Sequence, residues 1–142
     1  MIYEHTKEIA VRNMINKHFD GFVHDLKLPM WLSDGRNCAH KRRVDHRKLI
    51  NGVMLAIETD EYAHRSYDKL EEEIRYDDLV AYHTGKWIFI RFNPDACLGG
   101  IGVDMSDKLG ALRAEIEAQI ERIESGQVDS NDSIVDIIKM YY

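Results

Sequence analysis

The sequence predicts an α/β fold: one domain over residues 1–142, with a mixed central β-sheet flanked by helices. Three observations carry that expectation. Stretches with apolar residues at helical spacing alternate with short β-branched and aromatic runs. Asn51-Gly52 separates two such runs as a hairpin turn, because both residues tolerate positive φ. A chain of 142 residues, 44% apolar, is long enough to bury a real core.

In chain order, residues 3–19 place Ile9, Val11, Met14, Ile15 and Phe19 near helical spacing, with Gly21 as the stop. Residues 21–27 predict a short strand and 29–41 a polar loop. The hairpin follows. With a two-residue turn, Ile50 faces Val53, and the same register sets Leu49 against Met54, Arg47 against Ala56 and Asp45 against Glu58. Asp68 and Glu71 have capping-box spacing before a helix from about Lys69 to His83, where Glu71 and Arg75 are spaced for an i,i+4 pair and Gly85 supplies the stop. Residues 86–92, KWIFIRF, predict a strand ended by Asn93-Pro94. Residues 96–105 read as a glycine-rich loop. A helix from about Ser106 to Ser125 aligns Leu109, Leu112, Ile116, Ile120 and Ile123 on one face, and 133–141 predicts a last strand. The predicted order is α-β-β-β-α-β-α-β.

Composition narrows the setting. No apolar run is long enough to span a membrane, and the N-terminal residues mix charges into apolar ones, unlike a secretory signal. Two cysteines, Cys38 and Cys97, make a disulfide framework improbable and favour a soluble protein in a reducing, intracellular compartment. Net charge is −6, yet Arg36, Lys41, Arg42, Arg43, Arg47 and Lys48 face only one acid, Asp45, within residues 36–48. That window carries +5 and leaves −11 for the rest, so a local basic patch sits on an acidic chain. Such a patch suits contact with phosphates; a solvated basic loop is the plainer alternative.

The hairpin raises a physical question. Residues directly opposite in such a ladder have Cβ atoms about 5 Å apart, so Asp45 and Glu58 are predicted neighbours, joined on the same face by Asp60. Two carboxylates at that separation repel by roughly 3 kcal/mol at an effective dielectric near 20. One carboxyl stays protonated, a cation binds between them, or a basic side chain neutralises them. Hard divalent ions such as Mg²⁺ take carboxylate oxygens and keep several waters. Arg42, Arg43 or Arg47 would serve the third solution. Residues 53–57, VMLAI, are apolar on both faces, which places this strand in the covered centre of the sheet.

Arg42-Arg43-x-Asp45, the hairpin, Glu58-x-Asp60-Glu61-x-x-His64, a helix and a strand ending Ile90-Arg91-Phe92-Asn93-Pro94-Asp95 together resemble the PD-(D/E)xK, or restriction-endonuclease-like, nuclease superfamily. The resemblance covers roughly residues 4–95. It is closest to the branch of very-short-patch repair endonucleases and EDxHD homing endonucleases, with related small proteins of large DNA viruses. It implies an αβββαβ core, here with an added helix and strand, and a DNA endonuclease or nickase dependent on Mg²⁺ or Mn²⁺. It further implies that Asp45 and Glu58 are metal ligands, with the Thr59 carbonyl a further candidate. His64 would be the catalytic histidine, and Glu8 (or Glu4 in its place) the helix glutamate near metal-bound water. Asp60 would assist. Arg36, Lys41, Arg42, Arg43, Arg47 and Arg75 would contact DNA. The chain would act as a monomer or homodimer in cytoplasm or nucleus, and a virus or phage origin fits. Two departures stand out: Val44 replaces a proline, and Asp60 stands where most of the superfamily has lysine. The alternative is a catalytically inactive nucleic-acid- or protein-binding module on the same fold.

Other residues have plainer readings beside sharper ones. Arg75 and Arg91 either pair with the carboxylates or grip phosphate; a buried Arg91 on an apolar strand requires a partner. Cys38-Ala39-His40 with Cys97 lacks a CxxC pair, so structural zinc is not expected. Trp31 either stacks on bases or covers the core. His5, His18, His24 and His83 are expected to be ordinary helix or strand residues.

Overall fold

The computed structural model describes residues 2–27, 43–59, 69–95, 104–128 and 134–141. Its elements are α1 (Ile2–His18), β1 (Val23–Lys27), β2 (Arg43–Ile50), β3 (Val53–Thr59), α2 (Lys69–Tyr82), β4 (Trp87–Phe92), α3 (Met105–Glu124) and β5 (Val135–Met140). This is the expected order. The strands form one five-stranded sheet in the order β1-β2-β3-β4-β5. β1, β2 and β3 are antiparallel neighbours, whereas β3–β4 and β4–β5 are parallel, so the sheet is mixed.

The turn fixes the register. Asn51 and Gly52 have φ of +48° and +81°, the pair of left-handed conformations that a type I′ turn requires. The ladder then runs from Ile50↔Val53 to His46↔Ile57. All of β3 from Val53 to Glu58 is buried, which fits a strand covered on both faces.

Alternation along β3 and β4 sorts the core into two layers. Leu55, Ile57, Ile88, Ile90 and Phe92 pack with Val11 and Ile15 of α1 and Leu112, Ile116 and Ile123 of α3. Met54, Ala56, Trp87 and Phe89 face the other way and pack with Leu79, Tyr76 and Val80 of α2. The rings of Trp87 and Phe89 stack at 5.1 Å, and each buried aromatic of this kind contributes about 1.5–3 kcal/mol. Because β3, β4 and β5 follow one another across the sheet while α2 and α3 lie on opposite faces, the two crossovers have opposite hands. One therefore departs from the usual right-handed rule.

Two local expectations need correction. Ile9 is 47% exposed, outside the stripe that Val11, Ile15, Met14 and Phe19 form. Gly85 has no positive φ; it is needed because a Cβ there would lie 2.6 Å from the Gly52 carbonyl oxygen and 2.7 Å from His83 Nε2. Its role is close approach of the β2–β3 turn to the α2–β4 connection. The expected cap at Asp68 and the expected loops at 29–41 and 96–103 lie outside the described residues. Among the described residues, no helix is long and apolar enough to cross a membrane.

Candidate functional site

The start of β2 and the carboxyl ends of β3 and β4 meet at one end of the sheet, because β2 runs against β3 while β4 runs with it. The ladder of β2 and β3 ends at His46↔Ile57, and Asp45, the residue before it, and Glu58, the residue after it, both act on the charge of Arg75. Asp45 Oδ2 accepts a 2.9 Å hydrogen bond from the Thr59 backbone N–H, tying the first strand to the end of the next. Glu58 follows Met54 and Ala56 on the face toward α2 and is only 9% exposed. A carboxylate so placed needs a partner.

α2 supplies it. Arg75 Nη2 donates to Glu58 Oε1. On the neighbouring strand Arg91 stands beside Glu58 in the ladder, and its Nη1 donates to Glu72 Oε1 and, at 3.2 Å, to the Tyr76 hydroxyl. The sheet thus presents an acid and a base, Glu58 and Arg91, and one turn of α2 presents the reciprocal pair, Glu72 and Arg75. Residues three apart on a helix share a face, so both ion pairs form without distorting α2. Burial alone would lower the Arg75 pKa, but the charge and hydrogen bond of Glu58, with Tyr76 and Asp45 adding to them, hold it raised. Burial first, and then the Glu58 charge, push the Tyr76 phenol up to about 12, so it stays neutral beside Arg91.

A second polar cluster caps the same end on the opposite face. Lys7 of α1 pairs with the buried Asp95 carboxylate. Lys108 of α3, 1% exposed, donates to the Asp95 carbonyl and sits 4.8 Å over the Tyr141 ring. Asn93 Oδ1 accepts from Asp95 N–H at 3.0 Å, and Asn93 Nδ2 donates to the Tyr141 carbonyl at 2.9 Å. The Asn93-Pro94-Asp95 turn is therefore a junction of α1, β4, α3 and the residue after β5.

The predicted site residues fall into three groups. Asp45 is bonded to the Thr59 backbone, Glu58 precedes Thr59 on β3, and Arg75 is the ion-pair partner of Glu58. Glu8 lies partly buried on α1 beside Lys7, and so at the same end of the sheet. Arg47 lies opposite Ala56, with Nη1 buried and without a hydrogen-bond partner among the described residues; Arg43 opens β2. Arg36, Lys41, Arg42, Asp60 and His64 lie outside the described residues, as do Trp31, Cys38, His40 and Cys97.

The fit to a cation can be judged from the donor set. Asp45 and Glu58 offer hard carboxylate oxygens. Among the described residues, no three His, Cys, Asp or Glu side chains gather as a complete cation cage. Two carboxylates completed by water and a substrate phosphate are the usual way Mg²⁺ is held, so the donors fit. An open groove of about 470 Å³ is lined by Phe19, Glu117, Ile120 and Glu121, toward the opposite ends of α1 and α3, away from these carboxylates.

Sequence reasoning missed three arrangements. The Glu72–Arg91 pair was signalled by an arginine on an apolar strand. Lys108 stands four residues before Leu112 and eight before Ile116, inside the apolar stripe of α3. His24 Nδ1 lies 2.8 Å from His46 Nδ1, and His24 Nε2 lies 2.7 Å from Asn16 Oδ1. Since these two histidines face each other across β1 and β2, that pairing needed the β1–β2 register, for which the sequence has no turn signal. No family model matches the chain, and no curated protein or solved structure matches it at a significant level.

Proposed function

We propose that this chain is a metal-dependent DNA endonuclease or nickase with a restriction-endonuclease-like fold. The observation that carries the proposal is the presence of Asp45, bonded to the Thr59 N–H, and of Glu58 at the carboxyl end of β3 and β4, both acting on Arg75. In open α/β sheets, ligands bind outside the carboxyl ends of the parallel strands. Asp45 and Glu58, with Thr59, would hold Mg²⁺ or Mn²⁺; a bound divalent ion supplies charge to stabilise a phosphodiester's departing oxygen and lowers the pKa of water. His64 would move a proton at the leaving or attacking oxygen, Glu8 would orient water, and Asp60 would assist. Residues Arg36, Lys41, Arg42, Arg43 and Arg47 would hold backbone phosphates. The protein would work as a monomer or homodimer.

A second reading is favoured by one observation. Arg75 already answers the charge of Glu58, which is what a catalytically inactive nucleic-acid- or protein-binding module on this fold would retain. Incubation with supercoiled plasmid and Mg²⁺ or Mn²⁺ separates the two. The endonuclease cuts and loses cutting in Asp45→Asn; the inactive module binds without cutting.

A further inference from the structure

We infer that Arg75 is a built-in competitor for the divalent cation, holding the Asp45–Glu58 site in the cation-free protein and yielding to the ion when it binds. This rests on the cation reading above and adds what regulates the site. The guanidinium comes from α2, whereas both carboxylates belong to the sheet, so its withdrawal needs a side-chain rotation rather than a change in the hairpin. It donates to Glu58, and its charge interacts with Asp45 as well. A cation between those carboxylates would lie beside the guanidinium, where like charges repel strongly.

The quartet gives the displaced arginine somewhere to go. Glu72 lies one turn before Arg75 on the same face of α2, with its side chain 27% exposed, and it already accepts from Arg91. A carboxylate has acceptor capacity for two guanidinium groups. Arg75 can therefore exchange Glu58 for Glu72 without leaving a buried charge unpaired. Among the described residues, the carboxylates of Asp45, Glu58 and Glu72 act on the guanidiniums of Arg75 and Arg91, three acids to two bases. The released guanidinium would also stand beside the site, in reach of a phosphate that the ion holds.

The test is calorimetric titration of the full chain with Mn²⁺, comparing the parent with Arg75→Gln, Arg75→Lys and Asp45→Asn. Removing the competing charge should tighten Mn²⁺ binding by about tenfold or more, while Arg75→Lys, which keeps the charge, stays near the parent and Asp45→Asn loses binding. A measurement on the unaltered protein guards against misfolded variants: the Arg75 Nε–H resonance should move saturably with Mg²⁺. Parent binding with no gain in folded Arg75→Gln, or an Arg75 resonance indifferent to saturating Mg²⁺, overturns the competition and leaves the cation site standing. No Mn²⁺ binding by any of the proteins overturns the cation reading itself.

Discussion

Replacing Arg75 with methionine removes the guanidinium that faces both Glu58 and Asp45 while keeping a long apolar side chain against Tyr76. The side chains of Arg75 and Glu58 are 18% and 12% exposed, so the pair is mostly but not wholly removed from water. Breaking a fully buried pair costs about 3–5 kcal/mol; the remaining solvent contact reduces that to about 2–3 kcal/mol. Two carboxylates left about 5 Å apart would repel by about 3 kcal/mol at an effective dielectric of 20, which sets the same scale. Glu58→Gln removes the other partner. Because each single change destroys the same interaction, the double variant should be more stable than additivity allows, with a coupling of about 2 kcal/mol. Urea denaturation of the four proteins at pH 7 and low salt measures it. A coupling below about 0.5 kcal/mol would refute the argument that Arg75 is what neutralises this end of the sheet.

Three further outcomes follow from the surroundings of single residues. Burial, the charge of His24 and then that of Arg12 lower the His46 pKa from 6.5 to about 3, so the folded protein keeps this imidazole neutral. The unfolded chain takes up the proton first as pH falls, so stability present above pH 6.5 is lost from there down to pH 3. The loss between pH 8 and pH 5 is about 2 kcal/mol, and His46→Leu should remove that slope from urea midpoints; an unchanged slope sinks the assignment. Gly85→Ala should cost about 1–3 kcal/mol because its Cβ meets backbone. Gly110→Ala, on α3 with open space around it, should instead stabilise by about 0.5–1 kcal/mol, and thermal melts of the pair check both signs.

The element order was legible because each element had its own local signal. Val11, Ile15, Leu112 and Ile116 mark helix faces, Asn51-Gly52 marks one turn with one register, and KWIFIRF can only be a covered strand. The register from Ile50↔Val53 to Arg47↔Ala56 was legible for the same reason, since a two-residue turn fixes the ladder beside it. What could not be read was anything set by packing between elements. Arg75 has an equally good local partner in Glu71 by i,i+4 spacing, and only the docking of α2 on the β3–β4 face turns it to Glu58. Lys108 was hidden likewise: its carbonyl partners at Asn93 and Asp95 are distant in sequence and come within reach only when α3 folds back over β4. Gly85 read as a helix stop because a close approach to Gly52 leaves no trace in either local sequence.

The proposed role of Asp45 and Glu58 is a cation-dependent cutting site for DNA. The most direct measurement follows supercoiled plasmid by gel over time with Mg²⁺ or Mn²⁺, for the parent and for Asp45→Asn, with DNA binding measured in parallel. The parent should give nicked or linear product, none in chelator, and Asp45→Asn should lose about a hundredfold or more of the cutting at unchanged DNA affinity. DNA bound by both proteins and cut by neither, at any divalent ion concentration, would contradict that role.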